Sequence, residues 1–439
     1  MYTLKRIYLP ENAPAQAIYA ADELRYYISR MCARPCPVQS DTTADAVILE
    51  QVVCDTLGED GFSLTPKEGA VRIRGGKRGI IYGAYELLER LGCRFFTPEC
   101  EKVPTVSEVV LDLWEEVIQK PILEYREHNY TDLRRSPRFA VKSRVNGHHH
   151  PIPEKLGGNM SYSWYVHSFE YMIPTSKYGQ DHPEFYAMLE DGTRPQTYAR
   201  FRICLTAWGE VCNRIYIWDY TTCFAHYPTP HPNWHALQPN MKAFVRNHVK
   251  GVFEQANGAY GGGVDLNELR AYIITKLLWD AETDVQKHME EFTDYYYGAG
   301  GVYIREYIEA LCRKAEDDMI HVGFNDNPVS ELFSEEMLDI YDSILEKAEQ
   351  ATADDPLRCR RVQKARLSVR WVRLKRAAML RHEHNAEEIN SFFEDWNSFG
   401  LTRIDEWVSS QTTLRALLDD KWRGTEYYEH WSCEGGEIL

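Results

Sequence analysis

The sequence predicts an α/β protein with a helical C-terminal part, and three observations lead to this prediction. Over the first 115 residues, short apolar runs alternate with amphipathic segments of helical period. Further along, Asp219 and Glu254 each directly follow an apolar run, and the run before Asp219 has no polar alternation, which is typical of a strand buried on both faces. From Val302 onward, long amphipathic segments are separated only by short polar turns, as in a helical bundle.

Composition limits the classes of protein that remain. The 439 residues suggest two or three domains, and 66 acidic against 50 basic residues leave a formal charge of −16. This charge argues against nucleic acid or an anionic membrane as a partner. No apolar run has the length of a membrane span. The chain as given shows no signal region before Pro10, which predicts a cytoplasmic protein, or a secreted or periplasmic one if a leader precedes it.

The cysteines and aromatic residues point to no cofactor. Eleven cysteines include no C-x-x-C pair, so we expect reduced thiols, mostly buried, and no zinc site. Aromatic residues make up 13% of the chain, which suits the stacking of sugars and equally suits ordinary cores. We therefore predict that the protein uses neither a metal nor an organic cofactor.

Residues 1–115 are predicted to form one α/β unit. A strand over Arg6–Leu9 precedes a helix from about Pro14 to Met31, whose apolar residues recur at helical spacing. A buried strand over Ala46–Glu50 follows. The alternation of Phe62 and Leu64 with later apolar residues across a Pro-Lys-Glu-Gly turn predicts a hairpin. A second helix is expected from about Lys77 to Leu91.

The stretch Arg78-Gly-Ile-Ile-Tyr-Gly-Ala-Tyr-Glu-Leu-Leu-Glu-Arg-Leu-Gly-Cys-Arg-Phe-Phe-Thr-Pro98 carries a first resemblance. It is similar to the N-terminal domain that precedes the barrel in α-glucuronidases (glycoside hydrolase family 67) and β-hexosaminidases (family 20). The resemblance implies a domain that supports a catalytic barrel and performs no chemistry itself. Its physical role is predicted to be an amphipathic helix packed on a sheet.

The second unit begins with a strand candidate at Glu124–Tyr130. Three adjacent histidines follow in Asn146-Gly-His-His-His-Pro151, which is predicted to be a loop. Adjacent side chains do not converge in a regular element, so substrate contact or a plain loop is favoured over a metal site. A further strand region ends near His167, and a helix or turn initiated by proline is expected over residues 181–189.

Three segments of this unit carry a second resemblance. They read Val-His-Ser-Phe at 166–169, Arg-Ile-Tyr-Ile-Trp-Asp-Tyr-Thr-Thr at 214–222, and Gly-Val-Phe-Glu-Gln at 251–255. Together with Arg-Ile-Cys-Leu-Thr at 202–206, they resemble the barrel of the domain of unknown function 4838. That family includes glycoside hydrolase family 163, the endo-β-N-acetylglucosaminidases that act on N-glycans. The resemblance implies a (β/α) barrel and a carbohydrate substrate.

The predicted barrel is incomplete. In relatives a long segment with further strands follows Arg-Ile-Cys-Leu-Thr, whereas here Thr206 runs directly into Ala207. The stretch from Pro121 to Gly298 is shorter than the roughly 250 residues typical of an eightfold barrel. Five or six strands are plausible. The predicted architecture is therefore an N-terminal α/β sandwich domain (1–115), an incomplete TIM-like barrel shortened near 206–207 (116–300) and a C-terminal α-helical bundle (301–439).

Asp219 and Glu254 are the predicted catalytic residues, because two carboxylates on neighbouring strand ends are the minimum apparatus for cleaving a glycosidic bond. The competing interpretation is that both cap strands or pair with an arginine. If the barrel forms, five residues are expected to line its pocket: His128, Asn129, His167, Trp218 and Gln255. The pair Asp405-Glu406 is predicted to lie on the solvated face of a helix.

Three functions stay open. The first is a glycoside hydrolase acting on a glycan that contains β-linked N-acetylglucosamine. The second is an inactive carbohydrate-binding protein with an interrupted barrel, and the third is a structural or assembly protein. The sequence indicates nothing about the oligomeric state.

Overall fold

A computed structural model of the chain describes residues 1–67, 69–161, 174–178, 181, 194–320, 322–323, 328–380, 385–406 and 408–418. The predicted strand ending near His167 and the predicted helix over 181–189 lie outside the described residues, except for single positions. No helix in the described part of the chain is both long and apolar enough to cross a membrane.

The N-terminal part is built on a six-stranded mixed sheet. Ten strands occur here: β1 (Tyr2–Thr3), β2 (Arg6–Tyr8), β3 (Val38–Gln39), β4 (Ala46–Gln51), β5 (Phe62–Lys67), β6 (Ala70–Gly75), β7 (Arg94–Thr97), β8 (Cys100–Lys102), β9 (Val110–Leu111) and β10 (Val117–Gln119). The main sheet has the order β10-β5-β6-β4-β2-β3, and β1–β9 and β7–β8 form separate pairs. The predicted hairpin is confirmed, since β5 and β6 pair antiparallel.

Two helices pack on one face of this sheet. They are α1 (Ala15–Cys32) and α2 (Gly79–Arg90), both within one or two residues of the predicted starts. Leu24 and Ile28 of α1, together with Leu87 of α2, share a core with Val47 and Ile73 of the sheet. The apolar residues at helical spacing thus pack against the alternating apolar residues of the strands. This is the packing that a period of 3.6 in a helix and a period of 2 in a strand predict.

A three-stranded parallel sheet follows, made of β11 (Tyr125–His128), β12 (Ile215–Tyr220) and β13 (Val249–Gln255). Its order is β11-β13-β12, so the first strand pairs with the last. These three are the parallel strands of the predicted barrel within the described residues. The segment Arg-Ile-Cys-Leu-Thr at 202–206 is part of a helix instead, Arg194–Val211. Closure of a barrel stays a prediction.

The two faces of the parallel sheet have different surroundings. Val252 packs into a core with Trp234, Leu269 and Ile273, which belong to the helices that cover this face. Phe253, the next residue along the strand, instead stacks against His149 of the loop after β11, with ring centroids 4.6 Å apart. We call the first the helix-covered face and the second the aromatic face.

The remaining elements of the described residues are helical. They are α3 (Thr131–Arg135), α4 (Pro137–Lys142), α5 (Thr175–Tyr178), α6 (Arg194–Val211), α7 (Trp234–Arg246), α8 (Asn267–Trp279), α9 (Val285–Tyr296), α10 (Gly301–Asp317), α11 (Glu335–Ala351), α12 (Pro356–Met379), α13 (Ala386–Ser398) and α14 (Ser410–Leu418). One continuous core joins α7 and α8 to the later helices, from Phe96 to Leu417. The predicted C-terminal part therefore shares its core with the parallel sheet, and the boundary at residue 300 stays a prediction.

The helix before Asp405-Glu406 does not reach this pair, contrary to the prediction that the pair lies on a helix. It ends at Ser398, and Gly400 has a φ of +71°, a left-handed conformation that favours glycine and ends the helix. A new helix begins only at Ser410. The loop 401–409 lies between them.

A buried carboxylate ties the N-terminal part to the parallel sheet. Asp60, 8% exposed, accepts hydrogen bonds from Arg78 at the start of α2, from Arg126 of β11 (2.8 Å) and from the Asn146 side chain (2.9 Å). The Arg126 guanidinium also lies over the Trp279 ring of α8, 5.3 Å from its centroid. These contacts fix the position of β11 at one edge of the parallel sheet.

Candidate active site

The two predicted catalytic carboxylates are direct neighbours. Asp219 of β12 and Glu254 of β13 are register partners, and His128 of β11 is the partner of Glu254 on its other side. Register partners in a parallel sheet share a face, so the three side chains form a row across the helix-covered face near the C-terminal ends of the strands. Adjacent strands lie about 4.8 Å apart. The two carboxyl groups are therefore within range of each other.

Burial next to one another gives these carboxyls unusual proton affinities. Burial and the nearby Asp219 raise the pKa of Glu254 well above its ordinary value. Burial also raises the pKa of Asp219 to about 6, although the backbone N–H of Tyr220 and His231 act in the opposite direction. Glu254 is 3% exposed, and its Oε2 has no hydrogen-bond partner among the described residues. Asp219 is half-buried. Among the residues that the structure describes, the contacts around Glu254 give no support to the interpretation that both carboxylates pair with an arginine.

His128 completes the row as a neutral imidazole. Burial and the neighbouring His150 lower its pKa well below the ordinary value. Its Nδ1 accepts a hydrogen bond from the Tyr130 N–H at 3.3 Å, so the neutral ring carries its proton on Nε2. That Nε2 is buried and has no hydrogen-bond partner in the described part of the chain. The row thus holds a buried donor, His128 Nε2–H, on the strand next to a buried carboxyl oxygen, Glu254 Oε2.

The other predicted pocket residues are distributed differently. Asn129 is buried between strands, where its N–H donates to the Glu254 carbonyl oxygen (3.3 Å) and its Oδ1 accepts from the Ala256 N–H (2.5 Å). Trp218 and Gln255 lie on the aromatic face, and the Trp218 Nε1–H donates to Gln255 Oε1 at 2.6 Å. His167 lies outside the described residues. The structure therefore brings His128 to the carboxylate pair and separates Trp218 and Gln255 from it.

Sequence reasoning missed Glu127, which lies on the aromatic face. It is completely buried, and its carboxylate binds His149, the middle residue of the three adjacent histidines. The loop position of these histidines was predicted correctly. Within the described residues, no group of three or more His, Cys, Asp or Glu side chains is arranged to hold a metal ion. Successive side chains of a strand point to opposite faces of the sheet. The prediction of a strand at β11 with His128 in the pocket therefore already implied that Glu127 lies on the other face.

The prediction for Asp405-Glu406 is wrong. Asp405 is 7% exposed and lies in the loop 401–409, not on a helix. This loop packs on the segments that follow β12 and β13, since the Tyr227 N–H donates to the Ile404 carbonyl oxygen (2.7 Å) and the Thr402 N–H donates to the Gly261 carbonyl oxygen (2.8 Å). Burial and the adjacent Asp405 raise the pKa of Glu406. The helix break at Gly400 is what brings the pair to the strand ends.

Comparison with solved structures places the fold among those of glycoside hydrolases. A family 115 4-O-methyl-α-glucuronidase with specificity for decorated arabinogalactans aligns over 96% of this chain and 77% of its own, with 13% identity and a TM-score of 0.56. A family 138 enzyme targeting pectin rhamnogalacturonan II aligns over 94% of this chain and 74% of its own, with 11% identity and a TM-score of 0.47. The first of these likenesses shows a shared fold.

The family model of the domain of unknown function DUF4838 matches residues 95–207 and 196–309. The predicted resemblance to this family is confirmed, and the match extends over residues 95–309. The two matched segments overlap at 196–207, the region of the Thr206–Ala207 junction. A missing piece at that junction stays a prediction. No curated protein matches the chain.

Proposed function

We propose that the protein is a glycoside hydrolase acting on a glycan that contains β-linked N-acetylglucosamine. The observation that carries this proposal is the register pairing of Asp219 with Glu254, together with the raised pKa of each. Two carboxyls that share a site and ionise at different pH are the acid/base arrangement of glycosidases. The family relationship and the fold of the α-glucuronidase support the same class of reaction.

The two carboxyls have distinct proposed roles. Glu254, with the more strongly raised pKa, stays protonated near neutral pH and donates its proton to the oxygen of the leaving sugar. Asp219, with a pKa of about 6, is largely ionised at pH 7 and acts as the nucleophile or base. Because Asp219 is half-buried and Glu254 is almost completely buried, the sugar approaches from the Asp219 side. In-register strands about 4.8 Å apart suit the carboxyl separation of about 5–5.5 Å in retaining enzymes.

The test is hydrolysis of p-nitrophenyl N-acetyl-β-glucosaminide and of a complex N-glycan. We expect Glu254→Gln to lower kcat by about 100-fold or more, the usual range for loss of a general acid. The matched control is Glu124→Gln, because Glu124 is a part-exposed carboxylate paired with Arg214 just before β11. Wild-type kcat in Glu254→Gln would contradict the proposal.

The 3% exposure of Glu254 favours a second candidate, an inactive carbohydrate-binding protein. A carboxyl that a sugar cannot reach would leave binding without catalysis. In that case neither substrate is hydrolysed, while N-acetylglucosamine still raises the melting temperature of the wild type, because a ligand that binds only the folded state stabilises it.

A further inference from the structure

The row of Asp219, Glu254 and His128 contains a hydrogen-bond donor and an acceptor of complementary type. His128 and Glu254 are register partners on adjacent parallel strands, which lie about 4.8 Å apart, and their side chains share one face of the sheet. His128 Nε2 and Glu254 Oε2 are both buried, and neither has a hydrogen-bond partner in the part of the chain that the structure describes. A buried polar group without a partner is costly, so two such neighbours require an explanation.

The segment after β11 makes His128 a donor. Its Nδ1 accepts the backbone N–H of Tyr130 at 3.3 Å, and the two rings meet edge-on with centroids 5.5 Å apart. The Tyr130 hydroxyl lies 3.2 Å from Thr221 Oγ1, which anchors Tyr130 to the segment after β12. Burial and His150 lower the pKa of His128, so the ring is neutral. A flipped ring or the other tautomer would lose the bond from the Tyr130 N–H, and the proton therefore resides on Nε2.

This donor matters most after Glu254 has lost its proton. When Glu254 protonates the leaving oxygen, its own O–H bond breaks, a new O–H bond forms on the leaving group, and the electron pair of the broken bond stays on the carboxylate. The new negative charge is almost completely buried, and the only charge that shifts its pKa is that of Asp219, which has the same sign. An N–H donor binds a carboxylate more strongly than it binds a neutral carboxyl group.

The other ionisable groups near Glu254 are engaged elsewhere. Asp219 faces it from β12 and repels its charge. Burial raises the pKa of Tyr130, with smaller contributions from Asp265 and Glu254, while Arg270 lowers it. The Tyr130 hydroxyl therefore keeps its proton, and Arg270 is bonded to Asp265 at 2.9 Å. The imidazole of the row is thus the neighbouring donor that is left to stabilise the carboxylate.

We propose that His128 is a positioning residue for Glu254: its Nε2–H donates a hydrogen bond to the carboxylate that forms when Glu254 gives up its proton. The catalytic step rests on the proposed function, whereas the pairing of the two side chains needs no sugar. The bond goes to Oε2, the buried oxygen, so the proton leaves from Oε1. His128 then acts through Glu254 and not through the substrate, which differs from its predicted place in the lining of the pocket.

Two variants of His128 separate the donor from the shape of the ring. His128→Phe removes the N–H donor and keeps an aromatic ring, whereas His128→Gln keeps an N–H donor. A hydrogen bond to the charged form of a carboxyl lowers its pKa. The pKa of Glu254 should therefore be higher in His128→Phe than in the wild type, and His128→Gln should restore most of the difference. A role in folding alone would not produce this pattern.

The experiment combines NMR with kinetics. ¹⁵N NMR of labelled histidine reports the tautomer of His128, and ¹³C NMR of labelled glutamate reports the pKa of Glu254, with Glu254→Gln assigning the signal. We expect the Nε2–H tautomer in the wild type. On p-nitrophenyl N-acetyl-β-glucosaminide, His128→Phe should lower kcat by about 10- to 100-fold with KM nearly unchanged, as for a lost hydrogen bond to a charged group. The alkaline limb of kcat/KM should move to higher pH together with the pKa of Glu254.

The outcomes distinguish this pairing from the proposed function. An Nδ1–H tautomer in the wild type overturns the pairing, and this measurement needs no variant to fold. An unchanged pKa of Glu254 in His128→Phe overturns it as well, whether or not the glycoside is hydrolysed. Equal loss of kcat in both variants, with the alkaline limb of the wild type, also overturns it. A wild type without hydrolysis, in which the pKa of Glu254 still responds to His128→Phe, overturns the proposed function and supports the pairing.

Discussion

Two buried carboxylates, Asp60 and Glu254, lie near the parallel sheet in opposite electrostatic surroundings. Asp60, where the N-terminal part meets β11, is bonded to the guanidinium groups of Arg78 and Arg126. Burial alone would raise the pKa of Asp60, yet these arginines hold it below its ordinary value. Glu254, at the strand ends, is buried beside another carboxyl, and its pKa is raised.

The difference separates structural from functional burial. A charge that is matched by cations and hydrogen bonds fixes the relative position of two elements. An unmatched carboxyl destabilises the fold when it ionises, and such groups concentrate where proton transfer is needed. The following predictions test this contrast, beginning with the largest expected effect.

Asp60→Ala should lower the free energy of unfolding by about 3–5 kcal/mol, because it leaves Arg126 buried without its countercharge. Urea denaturation at pH 7 measures this change. The matched control is Glu59→Ala, since the Glu59 side chain is 64% exposed although it pairs with the same Arg78. The control should change stability by about 0–1 kcal/mol. Equal effects of the two variants would show that Asp60 does not hold the parts together.

Glu254→Gln should stabilise the protein at pH 8 by about 1.4 kcal/mol or more, the free energy of one pKa unit. A carboxyl whose folded pKa is raised loses stability as pH rises from its unfolded pKa to its folded pKa, and the neutral amide avoids that loss. Urea denaturation at pH 8 and at pH 4.5 checks the sign. The gain should disappear at the lower pH. A destabilised variant at pH 8 would mean that Glu254 has a cationic partner.

Asp219→Asn should give a smaller gain of about 1 kcal/mol, because the half-buried carboxyl is partly screened by water. The pKa of Asp219 is raised from 3.8 to about 6, so the gain should be absent below pH 4, grow between pH 4 and 6 and level off above that range. Melting temperature as a function of pH measures it. A gain that is constant with pH would contradict the raised pKa.

Regular patterns made much of the fold predictable. The stripe of Leu24 and Ile28 at helical spacing, and the alternation of Phe62 with Leu64, each describe burial on one face, and both elements form as predicted. The segment at 202–206 misled because a short apolar run suits a strand or a helix equally well. Its family resemblance placed it in the barrel, and the structure has α6 there.

The sequence predicted which residues of the candidate site lie on each strand, but not how the strands are placed relative to one another. Asp219 and Glu254 follow apolar runs, so their placement at strand ends was visible, but their register was not. The contact between Glu127 and His149 joins residues from a strand and a loop, and no periodicity reports such a contact. The pair Asp405-Glu406 was misjudged because a helical pattern continued through Gly400, whose left-handed backbone overrides it.

The pairing of β11 with β13 has a consequence for how the protein is made. Residues 129–248 separate the two strands, so β11 leaves the ribosome long before its hydrogen-bonding partner exists. During that interval none of the strands in the described residues pairs with β11, although the N-terminal sheet, whose strands end at Gln119, is already complete. Such delayed long-range pairing slows folding and exposes strand edges to other chains. Synthesis of this protein should therefore depend on chaperones most strongly between the emergence of His128 and that of Gln255.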